Sequence, residues 1–163
     1  MGFGARRALI TGLTLTAAGL LLFARTPVDG NYWTDLMPVM LLLGGGAGVA
    51  FPAMMTLAMS GATDQDAGLA SGLVNTTVQV AGAIGLAVLA TLASERTEGL
   101  AAAGESAAEA VNGGYHLAYL VGAALIVAAI AVAATVLRPD RKPGEDERAG
   151  RAPGPGEPAY SEA

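Results

Sequence analysis

The sequence predicts an all-α, polytopic membrane protein: four transmembrane helices with a disordered C-terminal tail. Three observations carry that prediction. First, 53% of the 163 residues are apolar and only 14% charged, with a mean hydropathy of +0.50, well above that of an ordinary soluble domain. Second, residues 8–24, 36–59, 69–93 and 115–137 carry no charge at all, and these stretches are 17, 24, 25 and 23 residues long. Each reaches the roughly 17–25 residues that cross ~30 Å of hydrocarbon as a helix. Third, beyond residue 137 the composition turns to Pro, Gly, Glu and Arg with almost nothing to bury, the mark of a disordered segment. The chain therefore divides into a four-span region, 1–137, and a tail, 138–163. A soluble enzyme is excluded. Cysteine is absent, which removes disulfides, thiolate metal sites and cysteine nucleophiles.

The first span follows Arg6 and Arg7. It resembles the start of a secretory signal, but no small-x-small cleavage site and soluble domain follow, so it reads as a retained helix. Tyr32 and Trp33 stand where interfacial aromatics belong, and Pro38 falls in the first turn of the second helix, where its missing N–H costs nothing. Residues 60–66, with Asp64 and Asp66 as candidate N-terminal caps, make a tight polar turn into the third span. Residues 94–114, carrying Glu95, Arg96, Glu98, Glu105 and Glu109, read as a connector with room for a short surface helix.

Seven of the nine basic residues (Arg6, Arg7, Arg138, Arg141, Lys142, Arg148 and Arg151) fall on one side if four spans are crossed, leaving Arg25 and Arg96 opposite. The positive-inside rule then places both termini, and so the tail, in the cytoplasm of a multi-pass plasma-membrane protein. No basic patch for nucleic acid emerges.

Chemistry-bearing candidates are few. In the third span Gly68, Gly72, Asn75, Gln79 and Gly82 recur at spacings of 4, 3, 4 and 3, which holds them within a sector of roughly 80°. Such a stripe suits close helix packing, and it also suits the lining of a substrate path; both readings stay open, because amides facing hydrocarbon are costly and call for protein or water. In the second span Gly48 and Pro52 are hinge candidates, since the proline ring denies the Gly48 carbonyl its helical partner and a bend is expected at 48–52. The only histidine, His116, reads as an interfacial residue satisfied by headgroups and water rather than a proton relay, for no charged partner lies within the spans. No catalytic set, no metal site and no cofactor motif is present: Ser71 and His116 lie on different spans near opposite membrane faces, and the glycine run has no dinucleotide or Walker spacing.

Leu43-Gly-Gly-Gly-Ala-Gly-Val-Ala-Phe-Pro and the later Ala67-Gly-Leu-Ala-Ser-Gly-Leu-Val-Asn-Thr-Thr-Val-Gln-Val-Ala-Gly-Ala-Ile-Gly-Leu-Ala closely resemble the C-terminal part of major facilitator superfamily drug exporters. They look like the fourteen-span drug:proton antiporters of the EmrB/QacA type. The resemblance covers about residues 5–137 and implies the last four spans of a multidrug efflux protein that exports hydrophobic or cationic compounds by proton antiport. It also implies the partners: the lipid bilayer, the remaining helices of a larger transporter or a partner subunit, and small hydrophobic substrates once assembled. Family motifs of the N-terminal half and its membrane-embedded carboxylates are absent, so the chain is expected to be a C-terminal piece. The competing reading is a small membrane scaffold or assembly subunit with no transport activity of its own.

Overall fold

The computed structural model describes residues 4–63 and 65–137. The expected tail over 138–163 and the candidate cap Asp64 lie outside the described residues. Four helices make up the fold: α1 (Ala5–Phe23), α2 (Met37–Met59), α3 (Ala67–Ala102) and α4 (Ala107–Val136), with a π-helical turn at Tyr32–Leu36 leading into α2. No strand occurs among the described residues. All four helices are long and apolar enough to cross a membrane, the second counted together with its π turn. The chain is a multi-pass membrane protein.

Helix ends explain where the sequence reading and the structure part company. The 94–114 connector shrinks to four residues, because α3 and α4 both continue past the charge-free stretches. Glu95, Arg96 and Glu98 are good helix formers, and two sharp stop and start signals confine the turn. α3 ends at Ala102, capped by Ala103, in a Schellman closure: Gly104, at φ 96°, takes the left-handed conformation, its N–H donates to the Ala101 carbonyl and that of Glu105 to the Leu100 carbonyl. α4 starts with a capping box, in which the Ser106 hydroxyl accepts from the Glu109 N–H at 3.3 Å while the Glu109 carboxylate accepts from the Ser106 N–H at 3.2 Å. The Ser106 hydroxyl and backbone hydrogen bonds, in that order, hold the Glu109 carboxyl below the usual carboxylate range.

The π turn is closed the same way. Asn31 accepts from the Trp33 N–H at 3.0 Å and the Asp35 carboxylate accepts from the Asn31 N–H at 2.7 Å. Tyr32 and Trp33 are exposed there and meet edge to face at 5.7 Å. Pro38 lies in the first turn of α2, as expected. Asp66 stands at the N-cap of α3 but does not cap it with its side chain; its carboxylate accepts from the Thr63 hydroxyl at 2.7 Å instead.

α1 packs against both α2 and α4, and α4 also packs against α3, so the helices line up in space as α2, α1, α4, α3 with only slight contact between α2 and α3. The Arg6 guanidinium donates to the Ala134 carbonyl at 2.7 Å, which puts the start of α1 and the end of α4 at the same end of the bundle, as four crossings require. Near that end Leu9, Ala50, Ala53 and Ala133 form the core, joined by Leu13, Met54 and Leu57. Many large apolar side chains are exposed, Leu69, Leu86 and Val136 among them, and no polar or charged residue is buried among the described residues. An outside lined with leucine and valine is what a lipid solvent selects.

Candidate functional site

The candidate site is the set of faces that α2 and α3 turn away from α1 and α4. On α3, Gly68, Gly72, Asn75, Gln79 and Gly82 are all exposed, and a Cβ built on Gly68, Gly72 or Gly82 would find nothing within 4 Å. The structure brings the five onto one side, and no element among the described residues covers them. Contact with α4 is made along another line of α3, by Ala93, Thr97 and Leu100 against Gly113 and Gly114.

Two kinds of polar side chain stand on α3, and the structure treats them differently. Thr76 and Thr77 each donate back to the carbonyl four residues earlier, at 2.9 and 2.8 Å, which satisfies a hydroxyl inside a membrane helix without outside help. Asn75 and Gln79 make no hydrogen bond to any described residue. A primary amide cannot fold back on its own helix as a threonine hydroxyl does, and it brings two donors and a carbonyl. These two amides need water, a ligand or another protein surface.

α2 divides its glycines between two jobs. Gly46 is buried against α1: a Cβ there would stand 2.7 Å from the Gly12 carbonyl oxygen and 2.7 Å from the Thr16 nitrogen, and a Cβ on Gly12 would stand 2.6 Å from the Ala50 nitrogen. Backbone touches backbone here, the close approach that small residues permit between membrane helices. Gly44, Gly45 and Gly48 face open space. Of the hinge candidates, Gly48 and Pro52 are both exposed on the side away from α1, and α2 runs through Pro52 unbroken from Met37 to Met59. The Pro52 carbonyl accepts from the Thr56 hydroxyl at 2.9 Å.

Sequence reasoning named the glycine run of α2 for bending and missed Gly12 and Gly46 as the packing pair. The signal was available, since Gly12 and Thr16 on α1 and Gly46 and Ala50 on α2 are both small residues four apart. His116 has a protein partner that sequence reasoning did not name: its Nε2 lies 2.9 Å from the Thr26 carbonyl oxygen, in the α1–α2 connector. A carbonyl only accepts, so Nε2 carries the hydrogen.

The sequence profile of the Major Facilitator Superfamily matches residues 2–160. The chain belongs to that superfamily. Among relatives within it, a puromycin resistance protein of Streptomyces alboniger is 37% identical over 134 residues, covering 77% of this chain and 27% of the relative. A cephamycin export protein of Amycolatopsis lactamdurans is 37% identical over 134 residues, covering 82% and 26%. A low affinity ammonium transporter of Saccharomyces cerevisiae is 28% identical over 127 residues, covering 78% and 23%. The chain thus spans about a quarter of the length of the curated relatives it matches. No solved structure matches it significantly.

Proposed function

We propose that the chain supplies the C-terminal helices of an exporter that moves hydrophobic or cationic, antibiotic-like compounds out across the plasma membrane by proton antiport, with both termini cytoplasmic. The observation that carries this reading is the pair of unbonded amides, Asn75 and Gln79, on an uncovered small-residue face in the middle of a membrane-spanning helix. Such a face is costly against lipid and suits a watered substrate path or the close approach of partner helices. Two of the relatives are named for antibiotic resistance and export, which favours this cargo class over ammonium. Gly48 and Pro52, also on an uncovered face, are the proposed flexing point of α2. The carboxylate for proton coupling would come from partner helices, because residues 8–24, 36–59, 69–93 and 115–137 hold no Asp, Glu, Lys or Arg.

The test uses purified chain in liposomes with an imposed pH gradient and a fluorescent lipophilic cation as cargo. The chain alone should give no gradient-driven cargo movement. Co-reconstitution with an N-terminal portion of a related exporter should restore it, and Asn75→Leu or Gln79→Leu should reduce it. Gradient-dependent movement by the chain alone, abolished by a protonophore, would overturn the need for partner helices. Failure of the partner to restore transport would favour a scaffold or assembly subunit.

A further inference from the structure

Two groups of contacts tie α1 to α4, one at each end of the bundle. At one end the Arg6 guanidinium donates to the Ala134 carbonyl at 2.7 Å, and Ala134 belongs to the last turn of α4, where carbonyls have no partner within the helix. At the other end Asn112 and His116, one turn apart on α4, converge on a single acceptor: the Thr26 carbonyl oxygen lies 3.3 Å from Asn112 Nδ2 and 2.9 Å from His116 Nε2. Thr26 precedes Pro27, and the residue before a proline is pushed out of the helical region, so its carbonyl leaves the helix ladder with both lone pairs available. Beneath this fork Tyr119, three residues beyond His116, stacks on Phe23 in the last turn of α1, with ring centroids 4.6 Å apart and an interplanar angle of 29°. Asn112, His116 and Tyr119 follow the 4, 3 spacing of one helix face, and all three are only partly exposed.

We propose that Asn112 and His116 form a two-donor clasp on the Thr26 carbonyl that fixes the 24–31 connector to α4, so that α1 and α4, tied again at the far end by Arg6, move as one body. The clasp does not depend on which compound the transporter carries. It rests on two side chains that donate to one carbonyl of the connector, and on a third that stacks on Phe23 at the end of α1.

Because His116 is the only histidine, its state can be read without assignment. In full-length chain labelled with 15N-histidine in nanodiscs, the imidazole should show the Nε2–H tautomer with a slowly exchanging ring hydrogen. Hydrogen exchange of the Arg25, Thr26 and Gly30 amides, which close the connector, should quicken about tenfold in His116→Phe, the change expected from losing one net hydrogen bond. His116→Gln, which keeps an N–H near the same place, should stay within a factor of two or so of wild type. Leu120→Ala, an exposed position on the same helix, is the control for general loosening. An Nδ1–H tautomer, unchanged exchange in His116→Phe, or an equal acceleration in Leu120→Ala would each overturn the clasp.

Discussion

Gly46→Ala should destabilise the chain, whereas Gly48→Ala, two residues further along the same helix, should not. The added methyl at position 46 would stand 2.7 Å from both the Gly12 carbonyl oxygen and the Thr16 nitrogen, and ordinary contact begins at 3.4 Å. The Thr16 hydroxyl, nearer still at 2.5 Å, could turn aside, but the two backbone atoms cannot, so α1 and α2 must part by about 0.7 Å along that line. Opening a packed seam in this way costs about 1–3 kcal/mol. At Gly48 the methyl meets nothing within 4 Å, and replacing a glycine inside a helix by alanine contributes about 0.5–1 kcal/mol in favour of the folded state. The two variants add the same group to the same helix, so propensity and hydrophobicity cancel in the comparison and only the surroundings differ. Equilibrium unfolding in mixed micelles, with SDS as the denaturant, should separate them by about 1–3 kcal/mol, the cost of opening the seam. Equal midpoints would mean that α1 and α2 are not in backbone contact at Gly12 and Gly46, and the order α2, α1, α4, α3 would lose its main seam.

Gly72→Leu and Leu73→Ile should both be silent in unfolding of the chain alone, since Gly72 faces open space. Only Gly72→Leu should weaken association when partner helices are co-expressed, measured by co-purification; equal association would mean that the stripe faces lipid or an open path. Single cysteines at Glu105 and Gly150 should be labelled and protected, respectively, by a membrane-impermeant thiol reagent on intact cells, and the reverse would overturn the assignment of cytoplasmic termini. The start of α4 should fray in acid. Glu109 has its folded-state pKa depressed by Ser106, so its support for the capping box is present above the ordinary carboxylate range and is lost as pH falls through the lowered value. Amide exchange at Glu109 and Ala110 should rise over that window relative to the pH trend of Glu109→Gln, and parallel trends would refute the carboxylate's part in the cap.

Charge segregation made the four helices legible, because hydrocarbon excludes charge over the whole length of a span and leaves an unmistakable gap in the sequence. It fixed their outer limits poorly. Once a helix leaves the membrane its end is decided by local chemistry, here the left-handed Gly104 and the Ser106-Glu109 box, and a charge count does not see either. The S-x-x-E spacing of that box was in plain view in the sequence and would have moved the start of α4 from 115 to 107. Tertiary partners were less legible still. Gly46 and Gly48 are the same residue type two positions apart, and the sequence does not tell which one meets α1; that depends on the azimuth at which Gly12 and Thr16 arrive.

The distribution of small residues separates what this chain completes from what it leaves open. Gly12 against Gly46, and Gly113 and Gly114 against Ala93, Thr97 and Leu100, are contacts already made, and they join α2 to α1 and α3 to α4. Gly44, Gly45 and Gly48 on α2 and the Gly68 to Gly82 stripe on α3 use the same device with no described residue opposite. Small residues at a lipid boundary give up the dispersion contacts that Leu or Val would make there, and glycine adds a helix penalty of ~1 kcal/mol at each site. Where Thr76 and Thr77 satisfy themselves and Asn75 and Gln79 do not, the polar groups repeat the same asymmetry. Both signs fall on the helices at the two ends of the row, α2 and α3, and the central pair α1 and α4 is instead tied by Arg6 at one end and by Asn112 and His116 at the other. A central pair tied at both ends, flanked by two helices with uncovered small-residue faces, is the arrangement on which the proposed role as part of a larger exporter rests, with the outer helices as the ones that would meet partner helices or cargo.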